Sequence, residues 1–319
     1  MVAALGILLG LLATWPLLLH LGTRVPASTG DPMLQAWEVA WGGHALIHQP
    51  LRFFQANIFW PLGDSLAFSD ALVGYAPAGL IGSGHADAIT RYDLLFIAAI
   101  ALVFVATYLF ARELGAGRFG ALVGGLAYAY APWRLGHADH LNVLSVGGIP
   151  LALFLLLRGY RRGSRWQIVA GWLVASWQVS LGFAIGLQFL YVLLAIAIVV
   201  VVAWQRSGRP SPPRVATWPT VFGIAVLVIT SVVLARPYMR VLHDHPEARR
   251  SYSTVARYSP PVGSFASASP DRRKASARKS SSVNCVHSPL GPGSTSSRWH
   301  RATSSGVSDI RRMENASPS

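Results

Sequence analysis

The stretch 184-AIGLQFLYVLLAIAIVVVVAW-204 decides the fold class of this chain. A transmembrane helix needs about 20 apolar residues in a row, and this stretch supplies them without a charged side chain. Six further apolar runs come close to that length or reach it. They cover residues 2–21, 94–114, 119–131, 144–157, 166–183 and 217–235. We therefore predict an all-α polytopic membrane protein with about seven transmembrane helices.

The composition supports a membrane protein. Of the 319 residues, 52% are hydrophobic and only 13% are charged, and the mean hydropathy is +0.42, whereas a soluble domain has about 25% charged residues. The net charge of +14 comes from arginines between the apolar runs and in the last part of the chain. Loop arginines are an orientation signal in membrane proteins, so we predict the lipid bilayer as a partner and no nucleic acid.

The arginine positions also predict the topology. The short run 71–83 contains glycines and a proline, which favours a re-entrant or interfacial element. If that run does not cross, the arginines near 112–118, 158–165 and 205–214 all lie on one side, as the positive-inside rule requires. We therefore predict a multi-pass protein of the bacterial cell membrane with a cytoplasmic N-terminus. Residues 1–240 form its membrane domain, with outer loops at 22–93 and 133–143.

The first outer loop contains a predicted amphipathic helix, 33-MLQAWEVAWGGHALIH-48. Trp37 and Trp41 lie one turn apart on it, and tryptophan favours the membrane–water interface. We therefore predict an interfacial helix lying along the membrane.

The end of the chain has a different character. Residues 241–263 look like the start of an outer loop or domain, and residues 264–319 are rich in Ser, Arg and Pro. Such a composition cannot bury enough apolar surface to offset ordering entropy, which predicts a disordered tail. We also interpret this tail, as a hypothesis, as a frame-shifted read-through.

One acid in the first outer loop, Asp31, has two compatible interpretations. Asp is a favoured helix N-cap and proline a favoured first residue, so Asp31-Pro32 predicts a helix start. A carboxylate held at a helix N-terminus also stays ionised. Asp31 is therefore a candidate catalytic base as well.

The second outer loop, 133-WRLGHADHLN-142, gathers polar side chains. His137, Asp139 and His140 could bind a phosphate or, with Asp31, a divalent metal ion, although the spacing is not that of a standard zinc site. Arg134 is a candidate phosphate-binding residue. Short polar loops also carry histidines without a function, and an arginine here could simply reach the interface.

Together these stretches resemble a known family. The stretch 30-GDPMLQAWEVAW-41, followed by 57-NIFWPLGDSL-66 and 127-AYAYAPWRLGHADHLNVLS-145, is similar to members of the GT-C superfamily. These are polytopic glycosyltransferases that use polyprenyl-phosphate-linked sugars, and the similarity covers roughly residues 1–260.

The resemblance implies roles for particular residues. Asp31 matches the first-loop acid, which acts as a base toward the acceptor hydroxyl or helps to organise the donor phosphate. His137, Asp139 and His140 match the second loop, which lines the same cavity, and Arg134 and Trp37 are further candidate substrate-binding residues. The implied activity is hexosyl transfer from a lipid-linked sugar donor at the outer face, and a divalent metal ion is a candidate cofactor.

Two other classes stay open at this point. One is a non-catalytic polytopic protein, such as a lipid-carrier flippase or an envelope scaffold. The other is a truncated, inactive glycosyltransferase.

Overall fold

The computed structural model describes residues 1–208 and 214–248, with the isolated residues Tyr252, Ser253 and Ala256 beyond them. Throughout these residues every regular element is helical, which confirms the all-α prediction. The α-helices are α1 (Val2–Ala13), α2 (Asp31–His48), α3 (His85–Glu113), α4 (Arg118–Ala129), α5 (Pro132–Leu135), α6 (Leu141–Leu144), α7 (Gly148–Arg162), α8 (Arg165–Leu181), α9 (Phe183–Arg206) and α10 (Arg214–Asp244). Short 3-10 helices cover Leu17–His20, Pro50–Arg52, Ser65–Phe68, Val73–Leu80 and Pro246–Ala248. The tail predicted for residues 264–319, and the part of 241–263 after residue 248 apart from the three isolated residues, lie outside the described residues.

Four helical segments in the described ranges are long and apolar enough to cross a membrane. They are His85–Glu113, Leu141–Arg162, Phe183–Arg206 and Ala216–Asp244. The second of these joins α6 and α7 across a short break between them. Residues 1–208 and 214–248 are therefore helical in their regular structure and contain four candidate membrane spans.

The other three predicted spans correspond to shorter helices. α1 and α4 have 12 residues each and α8 has 17. A helix of 12 residues is about 18 Å long, whereas the hydrocarbon core is about 30 Å thick. Prolines explain the early ends, because Pro16 and Pro132 cannot donate a helical hydrogen bond and disfavour helix in the residue before them.

α3 is the central helix of the bundle. α1, α2, α4 and α7 all pack against it, and its side chains Tyr92, Phe96 and Ile100 belong to the largest buried cluster. Leu141 and Leu144 of α6 join the same cluster. α3 thus connects the first predicted outer loop to the second.

α9 has the opposite character. Most of its side chains are large, apolar and exposed, including Val199 at 67% and Tyr191 at 63%. An exposed apolar surface of this extent is unstable in water. It supports a lipid-facing position for this helix.

α2 matches the predicted helix of the first loop closely. Ala36, Val39 and Ala45 are almost fully buried, because α2 packs against α3 and the 3-10 helix Val73–Leu80. A Cβ added to Gly43 would lie 2.2 Å from the backbone of Gly79. The paired Gly42-Gly43 therefore allows two backbones to meet, and the prediction that α2 lies along the membrane stays a prediction.

Candidate functional site

The two predicted outer loops meet at a carboxylate–imidazole pair. The Nε2 atom of His140, in the second loop, lies 2.9 Å from Oδ2 of Asp31 at the start of α2. An ionised carboxylate can only accept, so this contact needs a proton on Nε2 of His140. The Asp31 side chain is 52% exposed and that of His140 is 39% exposed. A substrate hydroxyl can therefore reach the carboxylate while the imidazole orients it.

The capping interpretation of Asp31 is wrong. Asp31 is the first residue of α2, Gly30 is the N-cap residue, and no side-chain hydrogen bond caps the helix. The prediction placed the helix start at Pro32, one residue late. The carboxylate instead contacts the second loop, which leaves it available for chemistry.

The other two polar residues of the second loop have separate partners. Nδ1 of His137 lies 2.7 Å from the Trp133 carbonyl oxygen, and the two rings are 4.6 Å apart. Asp139 accepts a hydrogen bond of 3.3 Å from the Ser28 hydroxyl. His137 therefore shapes its own loop, whereas Asp139 gives the two loops a second connection beside the Asp31–His140 pair.

Arg134 lies inside the protein, so the alternative of reaching out to the interface is wrong. The side chain is 3% exposed. It donates hydrogen bonds to the carbonyl oxygens of Leu144 at 2.6 Å and Ala129 at 3.3 Å, and its guanidinium lies 5.8 Å from the Tyr128 ring centroid. Burial lowers the pKa of the Arg134 guanidinium. In the described part of the chain no carboxylate lies within ion-pair distance of it.

A cleft of about 450 Å³ opens beside Arg134. Its walls are mostly apolar and come from the end of α1, α3 and the two predicted loops. Two further basic side chains, His20 and Arg24, line it. Part of the cleft lining comes from the segments 24–27 and 134–138. The residues that follow these segments in the chain form the Ser28–Asp139 and Asp31–His140 contacts.

A buried polar network behind the pair was not found from the sequence. Asn142 accepts a hydrogen bond of 2.9 Å from the Gln35 amide nitrogen and donates one of 2.8 Å to Asp70. The Gln35 amide oxygen accepts a 2.8 Å bond from the backbone N–H of Leu141. These bonds fix the second loop against α2 and so set the position of His140.

Glu38 is the most unusual member of this region. It is 1% exposed, and its Oε2 atom has no hydrogen-bond partner among the described residues. Burial, with help from the nearby charges of Asp70 and Asp31, raises the pKa of Glu38 to about 8 although a hydrogen bond with Ser69 opposes this. Glu38 is therefore a neutral acid at pH 7.

The spacing along α2 held a signal for these residues. Asp31, Gln35 and Glu38 are separated by four and three positions, which puts them on one face of a helix. A polar stripe of this kind facing inward needs partners. The sequence does not say which residues supply them, since Asp70 and Asn142 come from distant parts of the chain.

The residues present do not fit a metal centre. Within residues 1–208 and 214–248, no group of three or more His, Cys, Asp or Glu side chains is close enough to hold a metal ion. The candidate set of Asp31, His137, Asp139 and His140 splits into one pair and two residues with other partners. We therefore derive no chemical step through a metal.

Trp37 lies away from the cleft lining. It is half-buried and stacks on Trp41 with ring centroids 6.1 Å apart. No contact in the described structure links it to Asp31 or Arg134.

Comparisons with protein-family models, with curated proteins and with solved structures found no match for this chain. What the site can do must therefore be argued from its own geometry.

Proposed function

We propose that the chain is an integral membrane glycosyltransferase of the GT-C type. It moves a sugar from a polyprenyl-phosphate-linked donor to an acceptor hydroxyl at the outer face of the membrane. The observation that carries this proposal is the 2.9 Å contact between Asp31 and His140 beside a cleft lined by Arg24 and Arg134.

The reaction is a displacement at the anomeric carbon. The acceptor oxygen forms a bond to that carbon, the bond to the phosphate oxygen breaks, and polyprenyl phosphate leaves with the electron pair. The proton of the acceptor hydroxyl passes to the Asp31 carboxylate. Removal of this proton in the transition state is general base catalysis, which contributes about 10²–10⁴-fold.

Asp31 suits the base role because it is accessible and oriented. The N–H of His140 holds one carboxylate oxygen, so the other remains free to face an acceptor. The network of Gln35, Asn142 and Asp70 holds the second loop in place. A carboxylate held in a fixed orientation near the reacting carbon increases the reaction rate more than a mobile one does.

The leaving phosphate is stabilised by the basic side chains of the cleft. Arg134 is buried and has only neutral partners among the described residues. Its positive charge is therefore not neutralised by the protein, and a phosphate in the cleft would supply the counter-charge. Such preorganised positive charge acts where negative charge develops in the transition state.

The apolar walls of the cleft suit the lipid part of the donor, so no soluble nucleotide pocket is needed. The proposal includes the finer topology of seven spans, in which α1, α4 and α8 cross together with the flanking residues of their apolar runs. The N-terminus then lies in the cytoplasm of a bacterial cell. Trp37 keeps only a supporting role in binding.

The experiment compares Asp31→Asn with the wild type in membrane vesicles that contain the full chain. Vesicles receive a polyprenyl-phosphate-[14C]hexose, and radiolabel is followed from the lipid fraction into acceptor material. We expect Asp31→Asn to lower transfer by about 10²–10⁴-fold, while binding of the donor is retained.

Asp244→Asn is the matched control. Asp244 is an exposed carboxylate that also lies 2.9 Å from a histidine, His243, and it lies outside the proposed site. It should transfer sugar at the wild-type rate. Wild-type transfer by Asp31→Asn would remove the catalytic assignment of Asp31. Absence of transfer by the wild-type chain would favour the lipid-carrier alternative.

A further inference from the structure

A second cleft lies at the opposite end of α2 from Asp31. It has a volume of about 330 Å³, and its lining includes His44, His48 and Arg91. The rise of about 1.5 Å per residue puts His44 roughly 20 Å along the helix from Asp31. We call this feature the histidine groove; it is separate from the site proposed for sugar transfer.

Arg91 gives the histidine groove a buried positive charge. The residue is 8% exposed, and its Nη1 atom donates to the carbonyl oxygens of Ile81 and Gly82. Its Nε atom has no hydrogen-bond partner among the described residues, and no carboxylate there lies within ion-pair distance. Asp87, one turn earlier on α3, instead accepts from the backbone N–H groups of Ser83 and Gly84.

His44 and His48 add hydrogen-bonding imidazoles to the groove. Their rings are 4.6 Å apart and both side chains are exposed. An imidazole N–H can donate a hydrogen bond to an anion. An anion in the groove can therefore contact both rings as well as Arg91.

The rim of the groove is apolar. Ile47 and Ile81 are 66% and 71% exposed, and Ile47 and Leu80 line the groove itself. Arg91 comes just before the apolar part of α3, which begins at Leu94. A basic residue at that position lies at the level of the lipid headgroups if α3 crosses the membrane.

We propose that the histidine groove binds the phosphate group of an anionic membrane phospholipid. His44, His48 and Arg91 hold the phosphate, and Ile47, Leu80 and Ile81 contact the first part of the acyl chains. Asp87, one turn earlier on α3, does not neutralise the Arg91 charge directly, because its carboxylate is held by the backbone N–H groups of Ser83 and Gly84.

The test uses the purified full chain in dodecyl maltoside and native mass spectrometry. The probe is dioctanoyl phosphatidylglycerol, whose phosphodiester keeps one negative charge between pH 6 and 8. Dioctanoylglycerol is the comparison without a phosphate, and inorganic phosphate is the comparison without acyl chains. We expect phosphatidylglycerol to bind about tenfold or more tightly than either at pH 6.

The main variant is His44→Gln with His48→Gln, because both residues are exposed and the change should not disturb folding. It should lose about tenfold in affinity at pH 6. Arg91→Gln should lose as much, although it also removes bonds to the turn at residues 81–82. His243→Gln, an exposed histidine outside the groove, should bind like the wild type.

Three results would overturn the proposal. The double variant could bind phosphatidylglycerol like the wild type, or dioctanoylglycerol could bind equally well, which would leave only an apolar surface. Inorganic phosphate could also displace the lipid at an equal concentration, in which case the ligand is a soluble anion.

Discussion

The two ends of α2 carry different chemistry, although a single helix supplies both. At its start, Asp31 and Gln35 contact the second loop, and Glu38 lies near Ser69 and Asp70 of the first loop. At its end, His44 and His48 face a turn and an arginine, and no carboxylate takes part in the groove. The helix itself has an apolar and small-residue face that packs along its whole length.

This difference shows that the partners of a helix decide what its polar residues do. The acidic end is enclosed by loops that come from distant parts of the chain, so Gln35 and Glu38 are buried and Asp31 is held by His140. At the histidine end the backbones of Gly43 and Gly79 pack closely, and both histidine side chains are left exposed. The first arrangement suits catalysis and the second suits reversible binding.

The largest loss of stability is expected for Gly43→Ala, which disrupts the backbone packing at the histidine end of α2. The added methyl group would lie 2.2 Å from the backbone of Gly79, so the two backbones must separate. Overpacking of this kind destabilises by about 3 kcal/mol, and we expect a clearly lower melting temperature in detergent. Gly124→Ala is the control, because nothing lies within 4 Å of its added Cβ. An unchanged melting temperature for Gly43→Ala would contradict the tight contact.

The acidic end can be tested by the pH dependence of stability. The pKa of Glu38 is about 8 in the folded protein, against an ordinary value of 4.5. Between these two pKa values, Glu38 therefore keeps its proton in the folded state and has lost it in the unfolded state. Its contribution to the free energy of unfolding is complete below the ordinary pKa and is lost as the pH rises through 8. Between pH 6 and 9 the loss is about 2–3 kcal/mol.

Melting temperatures across that range, for the wild type and Glu38→Gln, check this expectation. The amide resembles the neutral acid, so the variant should lose less stability at high pH than the wild type does. Equal slopes would show that Glu38 does not carry the effect.

A smaller loss of stability is expected for Asn142→Ala. This substitution changes contacts at the acidic end of α2 and leaves the histidine groove intact. The substitution leaves Gln35 and Asp70 without a shared partner. A buried polar group left without its hydrogen-bond partner lowers the free energy of unfolding by about 1–2 kcal/mol. Sugar transfer should fall as His140 loses its support, while binding in the histidine groove stays unchanged.

Asn57→Ala is the control for that substitution, because Asn57 is exposed. Loss of lipid binding in Asn142→Ala would show that the two ends of α2 are coupled, contrary to the separation described above.

The apolar pattern predicted much of the fold. Long apolar runs such as 184–204 predicted helices, and α9 covers that run completely. The length of α1 was overestimated because the apolar run 2–21 continues through Pro16, where the backbone can no longer continue the helix. The run 119–131 matched α4 closely, and α4 ends at Ala129, shortly before Pro132. Hydropathy measures composition, whereas a helix end depends on backbone hydrogen bonds.

The site was only partly accessible from the sequence. Asp31 and His140 could be singled out because an acid beside a proline and a histidine-rich loop stand out locally. Glu38 could not, since its burial depends on residues such as Ser69 and Asp70 that pack against it in three dimensions. Arg134 was correctly chosen as a candidate, but its burial followed from the carbonyl groups of Ala129 and Leu144, which no pattern revealed.

The connections between the two loops also set the order in which this protein can mature. Ser28 and Asp139 are 111 residues apart in the chain, and α3 and α4 lie between them. During translation, Asp31 therefore leaves the ribosome long before His140, the histidine that orients it, has been synthesised. Asp31 spends the early part of biosynthesis without its partner, and the site is completed only after the intervening helices have formed and the second loop has docked.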